Sequence, residues 1–135
     1  MNIQYKINHN ISINEFIEIL KNSTLGQRRP IEDKEVIASM IKNADIIVTA
    51  SIDNKIVGIA RAITDFSYCC YLSDLAVHSS YQKRGIGKEL ISKVQAELNS
   101  TCKIILLSAP SATEYYPKLG FIQHNSAWTL ANNIK

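Results

Sequence analysis

The sequence predicts an α/β (α+β) fold, a mixed and mostly antiparallel sheet of 6–7 strands flanked by about four helices. Three observations predict it. Apolar residues alternate or run continuously in β-rich stretches at 3–7 and again at 46–52, 56–64 and 68–77. They recur at helical spacing at 13–20, 36–44 and 86–98. Hairpin strands followed by strand–helix–strand crossovers give the order β-α-α-β-β-β-α-β-α-β(-β), which calls for helices on both faces of a mixed sheet.

Each element has a local cause. Ile3, Tyr5 and Ile7 alternate with polar residues, as on a half-buried strand. Ile13, Phe16, Ile17 and Leu20 share a helix face, and Gly26 follows shortly after. Gly26-Gln27-Arg28-Arg29-Pro30 reads as a loop. Val36, Ile37, Met40, Ile41 and Ala44 mark a second helix, with Asp33 ahead of it as a cap or first-turn acid. Asp53-Asn54 is a turn pair joining two β-rich runs into a hairpin. Ile86, Leu90, Ile91, Val94 and Leu98 share a third helix face. Residues 103–107 form a short apolar strand, and 113–119 a short helix that Gly120 ends. Residues 121–130 hold one or two final strands, and an exposed last strand offers pairing across a homodimer.

Composition narrows the function. A length of 135 residues suits one domain, 1–135. With 46% apolar residues there is too much surface to bury for a disordered chain. No run approaches the ~18–20 apolar residues of a membrane span, and residues 1–10 carry no apolar signal core. A net charge of +3 is too mild for nucleic acid and suits a small anionic ligand if the charges cluster. Cys69, Cys70 and Cys102 are an odd count with no C-x-x-C spacing, so neither a disulfide framework nor a metal site is expected. Reduced thiols point to a cytoplasmic protein. His9, His78 and His124 have no positional claim to catalysis.

The most informative stretch is Leu75-Ala76-Val77 followed by Gln82-Lys83-Arg84-Gly85-Ile86-Gly87-Lys88, between a strand and a helix. Two glycines allow a tight turn and close backbone approach. The following helix supplies free N–H groups and a positive dipole end, together an anion site suited to a pyrophosphate. The competing reading is a plain strand-to-helix turn. A P-loop is excluded, because Gln82 stands at its first glycine and Glu89 follows Lys88. A dinucleotide fingerprint fails as well, since Leu90 replaces its third glycine.

Residues 82–87 resemble the Q/R-x-x-G-x-G/A signature of the GNAT superfamily of acyl-CoA-dependent N-acetyltransferases. Ala112 and Tyr115-Tyr116-Pro117-Lys118-Leu119-Gly120-Phe121 resemble its second motif, A-x-x-F-Y-x-x-x-G-F. Both motifs lie in the family's order, and the predicted elements match the GNAT fold over nearly the whole chain.

The resemblance implies transfer of an acetyl group from acetyl-CoA to a primary amine by direct attack on the thioester. The coenzyme arm would lie between splayed fourth and fifth strands, bonded by the backbone of Leu75 and Val77. The N–H groups of residues 82–88 would hold the pyrophosphate. Tyr116 matches the tyrosine near the sulfur and would protonate the leaving thiolate, whereas Tyr115 replaces the usual Phe and is expected in the core. Pro117 disfavours helical dihedrals at Tyr116.

The base is open. Family members often carry Glu or His at the places of Tyr71 or Ser73, so the alternatives are water or Asp74, with a structural carboxylate as the competing role for Asp74. The acceptor is expected near Tyr71, Ser73, the final strands and the first loop. There Arg28 and Arg29 would bind an acceptor carboxylate or phosphate, or be solvated. Asp65 and Phe66 are further candidates beside the acceptor, and Trp128 is expected in the core or at a dimer contact. A non-catalytic acyl-CoA-binding module is the alternative function.

Overall fold

The computed structural model describes residues 2–8 and 10–132, so His9 lies outside the described residues. Five strands are present among these: β1 (Gln4–Ile7), β2 (Ile46–Ile52), β3 (Lys55–Thr64), β4 (Cys69–Val77) and β5 (Lys103–Ile105). The helices are α1 (Ile13–Asn22), α2 (Lys34–Lys42), α3 (Ile86–Ala96) and α4 (Tyr115–Lys118). The sheet order is β1-β2-β3-β4-β5, antiparallel throughout except for the parallel β4–β5 pair.

Local chemistry accounts for the helix starts. Ser12 Oγ accepts the Glu15 N–H while Glu15 Oε1 accepts the Ser12 N–H, both at 3.0 Å, a reciprocal cap on α1. Asp33 caps α2 by accepting the Val36 N–H at 3.2 Å. α3 packs on one sheet face, with Leu90 and Val94 fully buried against Val48, Ala60 and Leu72. α1 and α2 cover the other face, burying Phe16, Leu20 and Ile37 against Ile47, Ile59 and Ala76.

A bulge decides which β4 side chains meet which layer. Leu72 pairs with Ala62 and Asp74 with Arg61, so Ser73 is the extra residue opposite their junction. Without it, Leu72 and Asp74 would share a face. With it, Leu72, Leu75 and Val77 belong to the α3 side, while Asp74 and Ala76 turn toward α1 and α2.

The β3–β4 turn is held by Asp65, whose Oδ1 accepts the N–H groups of Ser67, Tyr68 and Cys69 at 3.0, 2.8 and 3.1 Å. These bonds hold its carboxyl below the usual carboxylate range. A depressed folded value means stabilisation that is present above the unfolded pKa of about 3.9 and lost as pH falls through the folded value. Denaturant unfolding of Asp65→Asn between pH 3 and 7 should therefore show a shallower acid-side loss than the parent chain. Equal slopes would show that the Asp65 carboxylate adds nothing to stability.

The expected final strands are absent among the described residues: 121–132 form no strand, and the sheet has five strands rather than six or seven. Residues 123–126, Gln-His-Asn-Ser, interrupt the apolar pattern, and β5 spans only three residues, offering little edge to extend. Trp128 is accordingly 91% exposed rather than in the core, with Ile122 and Leu130 also at the surface. The strand on which a homodimer was expected to pair is therefore missing from the described residues. Helix α4 is also shorter than expected and begins at Tyr115. Pro117 sits in its first turn, where a missing N–H costs no intrahelical bond. Gly120 ends the segment in the left-handed region, φ 95°.

Candidate active site

The site lies where β4 and β5 part. Their pairing covers Cys69, Cys70 and Tyr71 only, against Lys103, Ile104 and Ile105. From Ser73 to Val77 the outer edge of β4 has no strand partner among the described residues. The N–H of His78 donates to Val57 O at 2.8 Å, toward β3. Backbone groups alternate sides along a strand, so Ala76 also bonds β3, and Leu75 and Val77 turn their N–H and C=O groups to the open edge. That edge can bond an extended ligand lying beside it.

The chain then passes through a 3-10 turn, Ser79–Tyr81, capped by His78 Nδ1 accepting the Ser80 N–H at 3.0 Å. His78 thus serves the turn. Gln82 Nε2 donates to Val77 O at 3.4 Å. Lys83 and Gly85 both adopt left-handed backbone, φ 64° and 81°, which turns the chain into α3. Glu89 N–H makes the first helical bond, to Gly85 O at 3.0 Å. The N–H groups of Ile86, Gly87 and Lys88 precede that rung, and no side chain caps them. They form an anion cradle at the positive end of an 11-residue helix. Lys83, Arg84 and Lys88 are all exposed around it, and the Arg84 guanidinium lies 5.4 Å from the centre of the Tyr81 ring.

Helix α4 faces this cradle. A Cβ on Gly87 would lie 2.5 Å from Tyr115 Oη, so the tyrosine hydroxyl rests against bare backbone. Tyr115 is therefore not in the core; it is 38% exposed. Tyr116 is half-buried against the α3-side core, edge-on to Tyr115 and Phe121 at ring distances of 5.2 and 5.5 Å. Burial raises the Tyr116 phenol above its ordinary value of 10.0, and Tyr115 adds to the rise. Burial alone raises Tyr115. Both phenols therefore keep their protons at neutral pH and can donate.

On the other face of β4 lies a closed ionic cluster. Asp74 is completely buried, and its two carboxylate oxygens accept from Arg29 Nε and Arg61 Nε. Arg29 Nη2 donates to Ser73 O at 2.7 Å, and Arg61 Nη2 to Ser73 Oγ at 2.9 Å. Arg29 Nη1 reaches Arg28 O at 2.9 Å, and Arg61 Nη1 reaches Met40 O at 3.4 Å. The first loop is thereby pinned to the β4 bulge. The expected pair Arg28 and Arg29 is split: Arg29 is engaged in the cluster and Arg28 is exposed. Tyr71 is 40% exposed and pairs with Ile63 and Ile105 on its flanking strands. Asp65 and Phe66 sit at the opposite end of β4 from the glycine loop, where Phe66 O and Ser67 O accept from Asn99 N–H and Thr101 Oγ1 beyond α3. Among the described residues no group of His, Cys, Asp and Glu could hold a metal ion, and no helix is long and apolar enough to cross a membrane.

Arg61 also belongs to the cluster, and the sequence carries a signal for it. Arg61 stands between Ala60 and Ala62 in the otherwise apolar run 56–63, where a buried guanidinium requires a carboxylate.

Comparison with known proteins agrees with this geometry. Residues 21–135 match the family model described as an acetyltransferase (GNAT) domain. The chain is 31% identical over 125 residues to the uncharacterized N-acetyltransferase ycf52 of Pyropia yezoensis, covering 86% of this chain and 68% of that protein. It is 31% identical to the same-named protein of Porphyra purpurea, over 84% and 67%. Among solved structures, a GNAT-family acetyltransferase from Streptococcus pneumoniae superposes with a TM-score of 0.78 at 18% identity, covering 96% and 98% of the two chains. The aminoglycoside N-acetyltransferase AAC(6')-Iy, solved in complex with CoA, superposes with a TM-score of 0.76 at 18% identity, covering 98% and 96%. At these identities the structures speak to fold, whereas the family match and the two ycf52 relatives speak to descent: this chain belongs to the GNAT family of acetyltransferases.

Proposed function

We propose that residues 1–135 form one N-acetyltransferase domain that moves an acetyl group from acetyl-CoA to a primary amine by direct attack on the thioester. The observation that carries this is the open β4 edge leading straight into an uncapped helix N-terminus ringed by Lys83, Arg84 and Lys88. The edge fits an amide-bearing arm, and the cradle of residues 82–88 fits a pyrophosphate.

In this reading the backbone of Leu75 and Val77 aligns the arm and donates to the oxyanion that develops on the thioester carbonyl. The amine nitrogen bonds to the carbonyl carbon, the carbon–sulfur bond breaks, and Tyr116 gives its proton to the departing thiolate. Solvent reprotonates Tyr116. The amine loses its own proton to water, because both oxygens of Asp74 are held by arginines. Asp74 acts instead through Ser73 and Arg29, fixing the bulge and the first loop beside the acceptor. Tyr71, Ser73 and Arg28 border that acceptor space.

Replacing Tyr116 by Phe should cut turnover by roughly 10²–10⁴, the usual worth of a general acid. Coenzyme binding should fall far less. The raised phenol places any alkaline loss of turnover above about pH 10. Steady-state rates and coenzyme titrations of the variant check both points; unchanged turnover would remove Tyr116 as the acid.

One observation favours a second reading. With Asp74 locked in its cluster, β4 presents no free carboxylate at the site, as suits an acyl-CoA-binding module without catalysis. Thiol release from acetyl-CoA in the presence of amino sugars, polyamines, arylamines and peptides separates the two. Release with any one of them supports transfer, and binding with no release across the panel supports the module.

A further inference from the structure

We propose that Tyr115 is a coenzyme-binding residue whose hydroxyl donates to the pyrophosphate held at the start of α3. This rests on the acetyl-CoA reading above and deepens it. The resemblance places Phe at this position, so the hydroxyl is a feature of this chain.

Three observations place it. The hydroxyl lies over Gly87, in the first turn of α3, where the uncapped N–H groups converge. It makes no hydrogen bond to the described residues, so its proton is available. Burial holds the phenol protonated, leaving a donor beside an anion site rather than a second negative charge.

Gly87 and Tyr115 are complementary in space. A Cβ on residue 87 would meet Tyr115 Oη at 2.5 Å but its ring carbon Cζ at 3.5 Å, an ordinary contact. The missing side chain at 87 therefore makes room for the hydroxyl and for nothing else on that ring. Alanine at 87 forces the oxygen away, and the ring that carries it rigidly must tilt outward with it.

The test is a double-mutant cycle read by calorimetric titration of coenzyme A. Tyr115→Phe restores the residue usual in the family and retains the ring packing. It should weaken coenzyme A by about ten- to hundredfold, the loss of one hydrogen bond to a charged group. Gly87→Ala should weaken it by a similar factor, because it displaces the same oxygen. The two changes together should cost no more than either alone. A parent chain that binds coenzyme A while Tyr115→Phe binds it equally or more tightly would overturn the inference and leave the acetyl-CoA reading standing. Additive losses would overturn it too, since Gly87 would then act independently of the hydroxyl. A parent chain that fails to bind coenzyme A overturns both.

Discussion

Gly87→Val should remove measurable coenzyme A binding while leaving the chain folded. Its branched side chain covers the first-turn N–H groups of α3, the cradle proposed for the pyrophosphate. Two charge-assisted hydrogen bonds lost at about 1.5–3 kcal/mol each amount to roughly 10²–10⁴ in affinity. Folding tolerates the change because the side-chain atom in the way is the free end of Tyr115, which can swing outward. Residue 87 also has no positive φ to forbid a side chain. Circular dichroism and a melting curve verify the fold, and calorimetry verifies the loss. A folded variant that binds coenzyme A like the parent would place the anion elsewhere.

Asp74→Ala should be the most destabilising single change in the β4 region. It strands two guanidinium groups, with Arg61 9% and Arg29 20% exposed at their side chains. Removing one partner of a buried ionic cluster costs about 3–5 kcal/mol, a large share of the ~5–15 kcal/mol that holds a domain together. Arg61→Ala should cost less, since Arg29 still neutralises the carboxylate. Arg29→Ala should cost least, because its side chain is the more exposed. Urea unfolding ranks the three. A loss below about 1 kcal/mol for Asp74→Ala would show that the cluster contributes little net stability, as some buried ion pairs do.

The elements with strong local signals were legible in the sequence. Asp33 caps α2, Asp53-Asn54 turns the β2–β3 hairpin, and the glycine loop opens α3. The path from Val77 to Lys88 could be read because glycine, charge and a switch of hydrophobic period coincide there. The Ser73 bulge was not legible: a one-residue register shift leaves no mark in composition, yet it alone sends Asp74 toward α1 and α2 and away from Leu72. Pairing across the fold was hidden for a related reason. Arg29 and Asp74 are 45 residues apart and meet only once the first loop docks on β4. Tyr115 is expected in the core because the resemblance places Phe there, whereas its added hydroxyl rests over Gly87 and the side chain is 38% exposed. The final strands were expected from apolar residues that the structure leaves at the surface, because β5 ends too early to pair with them.

The central claim is that the parted β4 edge and the start of α3 form one coenzyme site, and calorimetric titration of acetyl-CoA into the full chain tests it most directly. Binding should saturate at one coenzyme per chain and weaken with rising salt, as the pyrophosphate is screened from Lys83, Arg84 and Lys88. Absence of binding at millimolar coenzyme would contradict the claim.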